Sequence, residues 1–124
     1  MDQRVATIMA FIEGNFKQML SVADLAKYVN LSPWHLLHIF KAETGVSPLQ
    51  YLKAVRMTQA QRLLETTFLS VKQIMIQVGV RDESHFVRDF KAMYGLSPTR
   101  FRRGFIRAYT KPVDLKSRRR SNSG

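Results

Sequence analysis

The chain repeats itself. Leu20-Ser21-Val22 recurs as Leu69-Ser70-Val71, and Leu25, Val29 and Leu31 recur as Ile74, Val78 and Val80, all at an offset of 49 residues. Past that point the offset becomes 50, where His35 answers to His85, Phe40-Lys41-Ala42 to Phe90-Lys91-Ala92, Gly45 to Gly95 and Ser47-Pro48 to Ser97-Pro98. Solenoids need at least three stacked copies to bury a continuous core, so two copies point instead to a duplicated supersecondary unit.

Each copy reads as helix, short turn, helix, then the start of another helix. Ser21 with Asp24 and Ser70 with Gln73 have capping-box spacing, in which the first residue's hydroxyl and the fourth residue's side chain satisfy exposed amide donors reciprocally. Helices therefore begin near Val22 and Val71 and end around Asn30 and Gly79, residue types that accept a left-handed turn. New helices start after Ser32, with Pro33 at the first helical position, and after Asp82. Gly45 and Gly95 stop them, and the Ser-Pro after each starts the next. Between the copies, Pro48 to about Thr66 reads as one helix with Leu49, Leu52, Val55, Ala60, Leu63 and Leu64 near helical spacing, roughly 28 Å long at 1.5 Å per residue. Ahead of the first copy, Val5, Ile8, Met9, Ile12 and Phe16 mark an amphipathic helix at about residues 3 to 17. The expected fold class is all-α: seven helices forming two helix-turn-helix units joined by a long central helix. Residues 1–108 are read as one domain, with the first unit at about 21–45, the linker helix at about 48–66 and the second unit at about 70–95. Residues 109–124 are read as a basic tail, expected to be disordered.

Charge is spread unevenly. Residues 1 to 50 carry four basic and four acidic side chains, residues 51 to 100 eight and four, and residues 101 to 124 eight and one, within a formal net charge of +11. A field that grows toward the C-terminus favours a polyanionic partner, although a solubilising excess of charge would look the same. With no cysteine among 124 residues, a disulfide framework, a thiolate metal site and a thiol nucleophile are all excluded. The apolar run Ile8 to Ile12 is far too short to span a membrane, and the acidic flanks Asp2 and Glu13 do not suit a secretory signal, so no membrane partner is expected and the cytosol is the expected compartment. His35 and His38 could share a helix face, yet no carboxylate pair completes a ligand set, so neither a metal nor any other cofactor is expected. No glycine-rich phosphate loop or nucleophile motif is present, which leaves an enzyme without machinery.

The second helix of each unit separates into two faces at 100° per residue. In the first copy Leu36, Ile39, Phe40 and Glu43 fall on one side, and Trp34, Leu37, His38 and Lys41 on the other. In the second copy Phe86, Phe90 and Met93 face inward, Ser84, Val87, Arg88 and Lys91 face outward, and His85 sits at the edge. A recognition helix presents its N-terminal outward residues to base edges, which makes the outward sets the candidate readers. Arg88 leads them because a guanidinium donates two parallel bonds to guanine O6 and N7. Trp34 could offer an exposed ring to thymine methyls or sugars, or serve as packing, and Leu37 and Val87 could give only apolar contact.

The stretch Gly79 to Lys91, followed by Gly95-Leu96-Ser97-Pro98-Thr99-Arg100-Phe101-Arg102, resembles the signature of the AraC/XylS family of transcription regulators. Leu31 to Leu36 with Phe40 to Gly45 is similar to that family's upstream helix-turn-helix, and the resemblance covers roughly residues 3 to 107. It implies two DNA-reading units, each placing one helix in adjacent major-groove segments, and activation through RNA polymerase. By the same resemblance the base-reading positions are Trp34, Leu37 and His38 in the first unit and Glu83, Ser84, His85 and Arg88 in the second. Leu37 and His38 depart from the polar residue and arginine of the family's stand-alone members, and Val80 replaces its usual aromatic. Those members bind as monomers to asymmetric sites of about two helical turns, so a monomer on double-stranded DNA is expected. Three other readings remain: a protein-interaction co-regulator that kept the fold, the DNA-binding fragment of a longer effector-responsive regulator, and a nonspecific RNA or membrane-surface binder.

Overall fold

Val5, Ile8 and Ile12 lie on one stripe of the first helix, α1 (Gln3–Asn15), and all three are fully buried. In the computed structural model, which describes residues 1–110, the helices that follow are α2 (Val22–Tyr28), α3 (Pro33–Thr44), α4 (Pro48–Thr66), α5 (Val71–Gln77), α6 (Glu83–Tyr94) and α7 (Pro98–Thr110). All seven elements among the described residues are helices, as the duplicated pattern predicts. Helix α1 stops two residues earlier than expected, in a turn closed by the Gln18 N–H on the Asn15 carbonyl at 3.0 Å, and the Phe16 and Gln18 carbonyls, which have no helical partner, accept hydrogen bonds from Arg56 of α4 at 2.8 Å each. Helix α7 runs through Tyr109, whose ring stacks on Phe105 at 4.6 Å, and so takes in two residues read as tail. The rest of that basic tail lies outside the described residues.

The starts of the helices obey the local rules. Both expected capping boxes form, Ser21 with Asp24 and Ser70 with Gln73, and Ser47 makes a third with Gln50 at the head of α4. Asp82 caps α6 by accepting the backbone N–H of His85 at 2.8 Å.

Two hydrophobic clusters make the core, one per unit. The first gathers Val5, Ile8, Ile12, Leu25, Leu36, Phe40 and Leu52, and the second Met57, Ala60, Leu64, Ile74, Val78, Phe86 and Phe90. Helix α4 belongs to both: Leu52 enters the first, while Met57, Ala60 and Leu64 enter the second. Phe16, just past α1, also packs against both. Among the described residues no polar or charged side chain is fully buried, so burial of apolar area is the dominant favourable contribution to folding.

The turns inside the two units have the same hydrogen bonding. In the first, the Leu31 N–H reaches the Ala26 carbonyl at 2.9 Å and the Asn30 N–H that of Lys27 at 3.2 Å; in the second, Val80 reaches Met75 and Gly79 reaches Ile76, both at 3.0 Å. These pairs are the two bonds of a Schellman motif, which requires a left-handed residue at its corner. Asn30 supplies it at φ 57° and Gly79 at φ 89°. Val80, smaller than an aromatic, is partly buried and packs on the second cluster.

The matched corners also differ in what surrounds them. A β-carbon on Gly79 would come within 2.8 Å of the Lys17 carbonyl oxygen and 2.9 Å of that of Phe16, whereas Asn30 carries its β-carbon and is exposed. Gly79→Asn should therefore cost about 1–3 kcal/mol through forced backbone shifts, while Asn30→Gly should change stability by less than about 0.5 kcal/mol. Denaturant titration of the two variants checks this; equal losses would show that the close approach costs nothing to disturb.

Candidate nucleic-acid interface

Helices α3 and α6 present equivalent faces at an offset of 50. Leu36 and Phe40 in one, and Phe86 and Phe90 in the other, are fully buried and fix the rotation of each helix about its axis. That rotation turns Trp34, Leu37, His38 and Lys41 outward on α3, and Glu83, Ser84, His85, Arg88 and Lys91 outward on α6, all exposed. Val87 is half-buried. Two residues assigned inward are exposed instead: Glu43 accepts the Asp2 backbone N–H on both carboxylate oxygens, at 2.8 and 2.9 Å, and Met93 is 47% exposed. Both lie near the C-terminal ends of their helices, Glu43 against the head of α1. Leu49, at the head of α4, is likewise 42% exposed.

On α3 the outward residues form an aromatic pair. The rings of Trp34 and His38, one turn apart, lie 3.9 Å between centroids, and the His38 Nδ1 sits 3.0 Å from the Trp34 carbonyl oxygen. A carbonyl only accepts, so Nδ1 carries the hydrogen and Nε2 remains as the ring's other polar atom. Trp34 stays 67% exposed, a flat apolar surface suited to sugars and thymine methyls. His35, half-buried, donates its backbone N–H to the Ser32 cap. Among the described residues no group of three or more histidines, aspartates or glutamates is placed to hold a metal ion.

On α6 the side chain of Arg88 is 67% exposed, and its Nε lies 3.7 Å from Asp89 Oδ1, the atom that also meets Lys53 of α4 at 3.6 Å. An exposed ion pair is worth about 0–1 kcal/mol, so little energy ties the guanidinium down. Asp89 occupies the repeat position of Ile39, and a carboxylate at a core-facing position calls for a cation from the neighbouring helix. The backbone N–H of His85 chiefly holds the Asp82 carboxyl below the usual carboxylate range, with His85 and Arg88 adding a smaller electrostatic effect. His85 also lines a cleft of about 490 Å³ that opens between the start of α2, the middle of α4 and α6. A second groove, beside the turn of the second unit, gathers Lys17, Lys72 and Arg81 with no carboxylate among its lining residues.

Two arginines, which no local sequence signal marks, hold the approaches to the units. Arg56 grips the segment before α2, as described. Arg102 of α7 does the same before α5, donating to the carbonyls of Leu64, Thr67 and Leu69. No helix among the described residues is long and apolar enough to cross a membrane.

The chain matches the family described as a helix-turn-helix domain over residues 25–104. It is 32% identical over 98 residues to the HTH-type transcriptional activator AarP of Providencia stuartii, covering 79% of this chain and 73% of that one. It is 35% identical over 105 residues to the arabinose operon regulatory protein of Escherichia coli, covering 84% of this chain but 36% of that protein. Several other curated relatives are likewise matched over little more than a third of their length. Among solved structures, the DNA-binding domain of AdpA, a global transcriptional factor captured with a target DNA, superimposes with a TM-score of 0.81 at 30% identity, over 88% of this chain and 97% of that one.

Proposed function

The chain belongs to the AraC-type helix-turn-helix family of DNA-binding transcription regulators, and from that membership we propose that it reads double-stranded DNA sequence-specifically as a monomer, with α3 and α6 as its two recognition helices. The observation that carries this reading is the matched rotation of those helices. One buried pair per helix, Leu36 with Phe40 and Phe86 with Phe90, turns equivalent outward residues toward a ligand twice over. Trp34, Leu37, His38 and Lys41 form the reading face of the first unit, and Glu83, Ser84, His85, Arg88 and Lys91 that of the second. Of the relatives, AdpA is seen on a target DNA. Residues 1–108 act as the DNA-binding domain, and the basic residues beyond them add nonspecific attraction. Activation by contact with RNA polymerase is the expected consequence, since the relative AarP is named an activator. No part of the reading requires a catalytic role, a cofactor or a membrane.

A second reading follows from the relatives matched over little more than a third of their length: this domain would then serve a longer, effector-responsive regulator.

Sedimentation and footprinting test the proposal together. One chain per duplex and protection of about two helical turns are expected, because each recognition helix occupies one major-groove segment. A 2:1 complex on the minimal site, or protection of a single turn, would contradict it. Phosphate contacts are assigned to the cationic groove. Lys72→Gln should weaken cognate and random DNA alike and flatten the slope of log K against log salt by roughly 0.9. A change in sequence preference with an unaltered salt slope would make Lys72 a reader instead.

A further inference from the structure

Paired reading of DNA demands a fixed relation between α3 and α6, and α4, which enters both clusters, is one link between them. Along α4 the side chains pass from the first cluster at Leu52 to the second at Met57, and Arg56 sits at that changeover. Its half-buried guanidinium reaches across to α1, donating from Nε to the Phe16 carbonyl and from Nη2 to that of Gln18. The same stretch is met from the other unit. The Gly79 corner packs so closely on the carbonyls of Phe16 and Lys17 that a β-carbon would overlap both. Phe16 itself packs in both cores. Three consecutive residues between α1 and α2 thus receive an arginine from the linker and the turn of the second unit. The internal repeat offers a comparison: Asn30, the counterpart of Gly79, turns the chain at φ 57° with a β-carbon in place, whereas Gly79 sits at φ 89° and against two carbonyls, so the turn and the contact both select glycine there.

We propose that residues 16–18 form the joint that fixes the angle between α3 and α6, with Arg56 and Gly79 as its positioning residues. Neither residue belongs to the reading faces; they act by holding one recognition helix in register with the other. The role in recognition rests on the paired reading proposed above, but the joint is a property of the free protein and can be measured there.

The absence of cysteine makes that measurement direct. Spin labels at Ala42→Cys and Ala92→Cys, exposed repeat mates on α3 and α6, should give one narrow distance distribution in the parent chain. Arg56→Gln should roughly double its width without lowering helix content, as expected when a hinge is released between intact bodies; Arg56→Lys, which keeps one donor group, should restore part of the narrowing. Gly79→Ala should widen it likewise, and Arg56→Gln serves alone if that variant does not fold. On DNA, inserting one base pair between the two recognised segments should cost the parent chain about tenfold in affinity. The Arg56→Gln variant should bind a duplex with only one segment intact as the parent does, yet lose most of that spacing penalty. An unchanged distance distribution overturns the joint, whatever the substitutions do to thermal stability. A widened distribution in a protein whose parent shows no spacing penalty supports the joint and overturns the paired reading of DNA instead.

Discussion

Phe90→Ala should lower the unfolding free energy by about 3–5 kcal/mol, the range for deleting a buried phenylalanine ring. Phe90 is fully buried, and its ring meets Phe101 edge-on at 5.5 Å, Tyr94 at 4.7 Å and Phe86 at 6.3 Å. Losing it removes three aromatic contacts and leaves a cavity between α6 and α7 that rigid helices refill poorly. Its repeat mate Phe40 is equally buried but has one ring neighbour, Tyr51 at 5.9 Å. Each aromatic pair adds about 0.5–1.5 kcal/mol beyond area burial, so Phe40→Ala should fall toward the lower end of the range. Domains of this kind have only about 5–15 kcal/mol to lose, and the Phe90 variant should show a marked drop in the denaturant midpoint. Urea titration followed by helical circular dichroism measures both. A loss below about 1 kcal/mol for Phe90→Ala would mean that the second core does not depend on this ring.

Arg88→Ala should leave the fold almost untouched and cost about 1–3 kcal/mol on the preferred DNA, with relaxed discrimination at one base pair. The small effect on stability follows from the exposure of Arg88 and its loose pairing with Asp89. The larger effect on binding follows from losing a bidentate donor to guanine. Titration of the variant against the preferred duplex and single-base variants of it separates the two kinds of contact. An equal loss on every sequence would reassign Arg88 to the phosphate backbone.

Much of this molecule can be read from its sequence because its determinants are local. Capping boxes at Ser21 and Ser70, the Pro after Ser32, and the left-handed corners at Asn30 and Gly79 act within four or five residues, and the helices start where those signals say. The faces of α3 and α6 are legible for a related reason: two buried positions per helix, doubled by the repeat, fix the rotation. What escapes a local reading is contact between distant segments. Arg56 and Arg102 look like surface cations until their carbonyl partners, up to 40 residues away, are known. Gly79 reads as an ordinary turn glycine, and only the fold shows that α1 ends against it. Glu43 and Met93 share the inward stripe yet are exposed, because a helical stripe gives a direction but not the depth to which each position is covered. Asp89 stood in plain view as the one charged residue replacing an apolar repeat mate on the core side of α6.

The paired reading of DNA is tested most directly by selecting bound duplexes from random sequence with the purified chain. Two short enriched segments should emerge, different from one another and about 10–10.5 base pairs apart centre to centre, the spacing of successive major-groove faces. Enrichment of a single segment, of a palindrome, or of no sequence at all with retention that depends only on salt would contradict it.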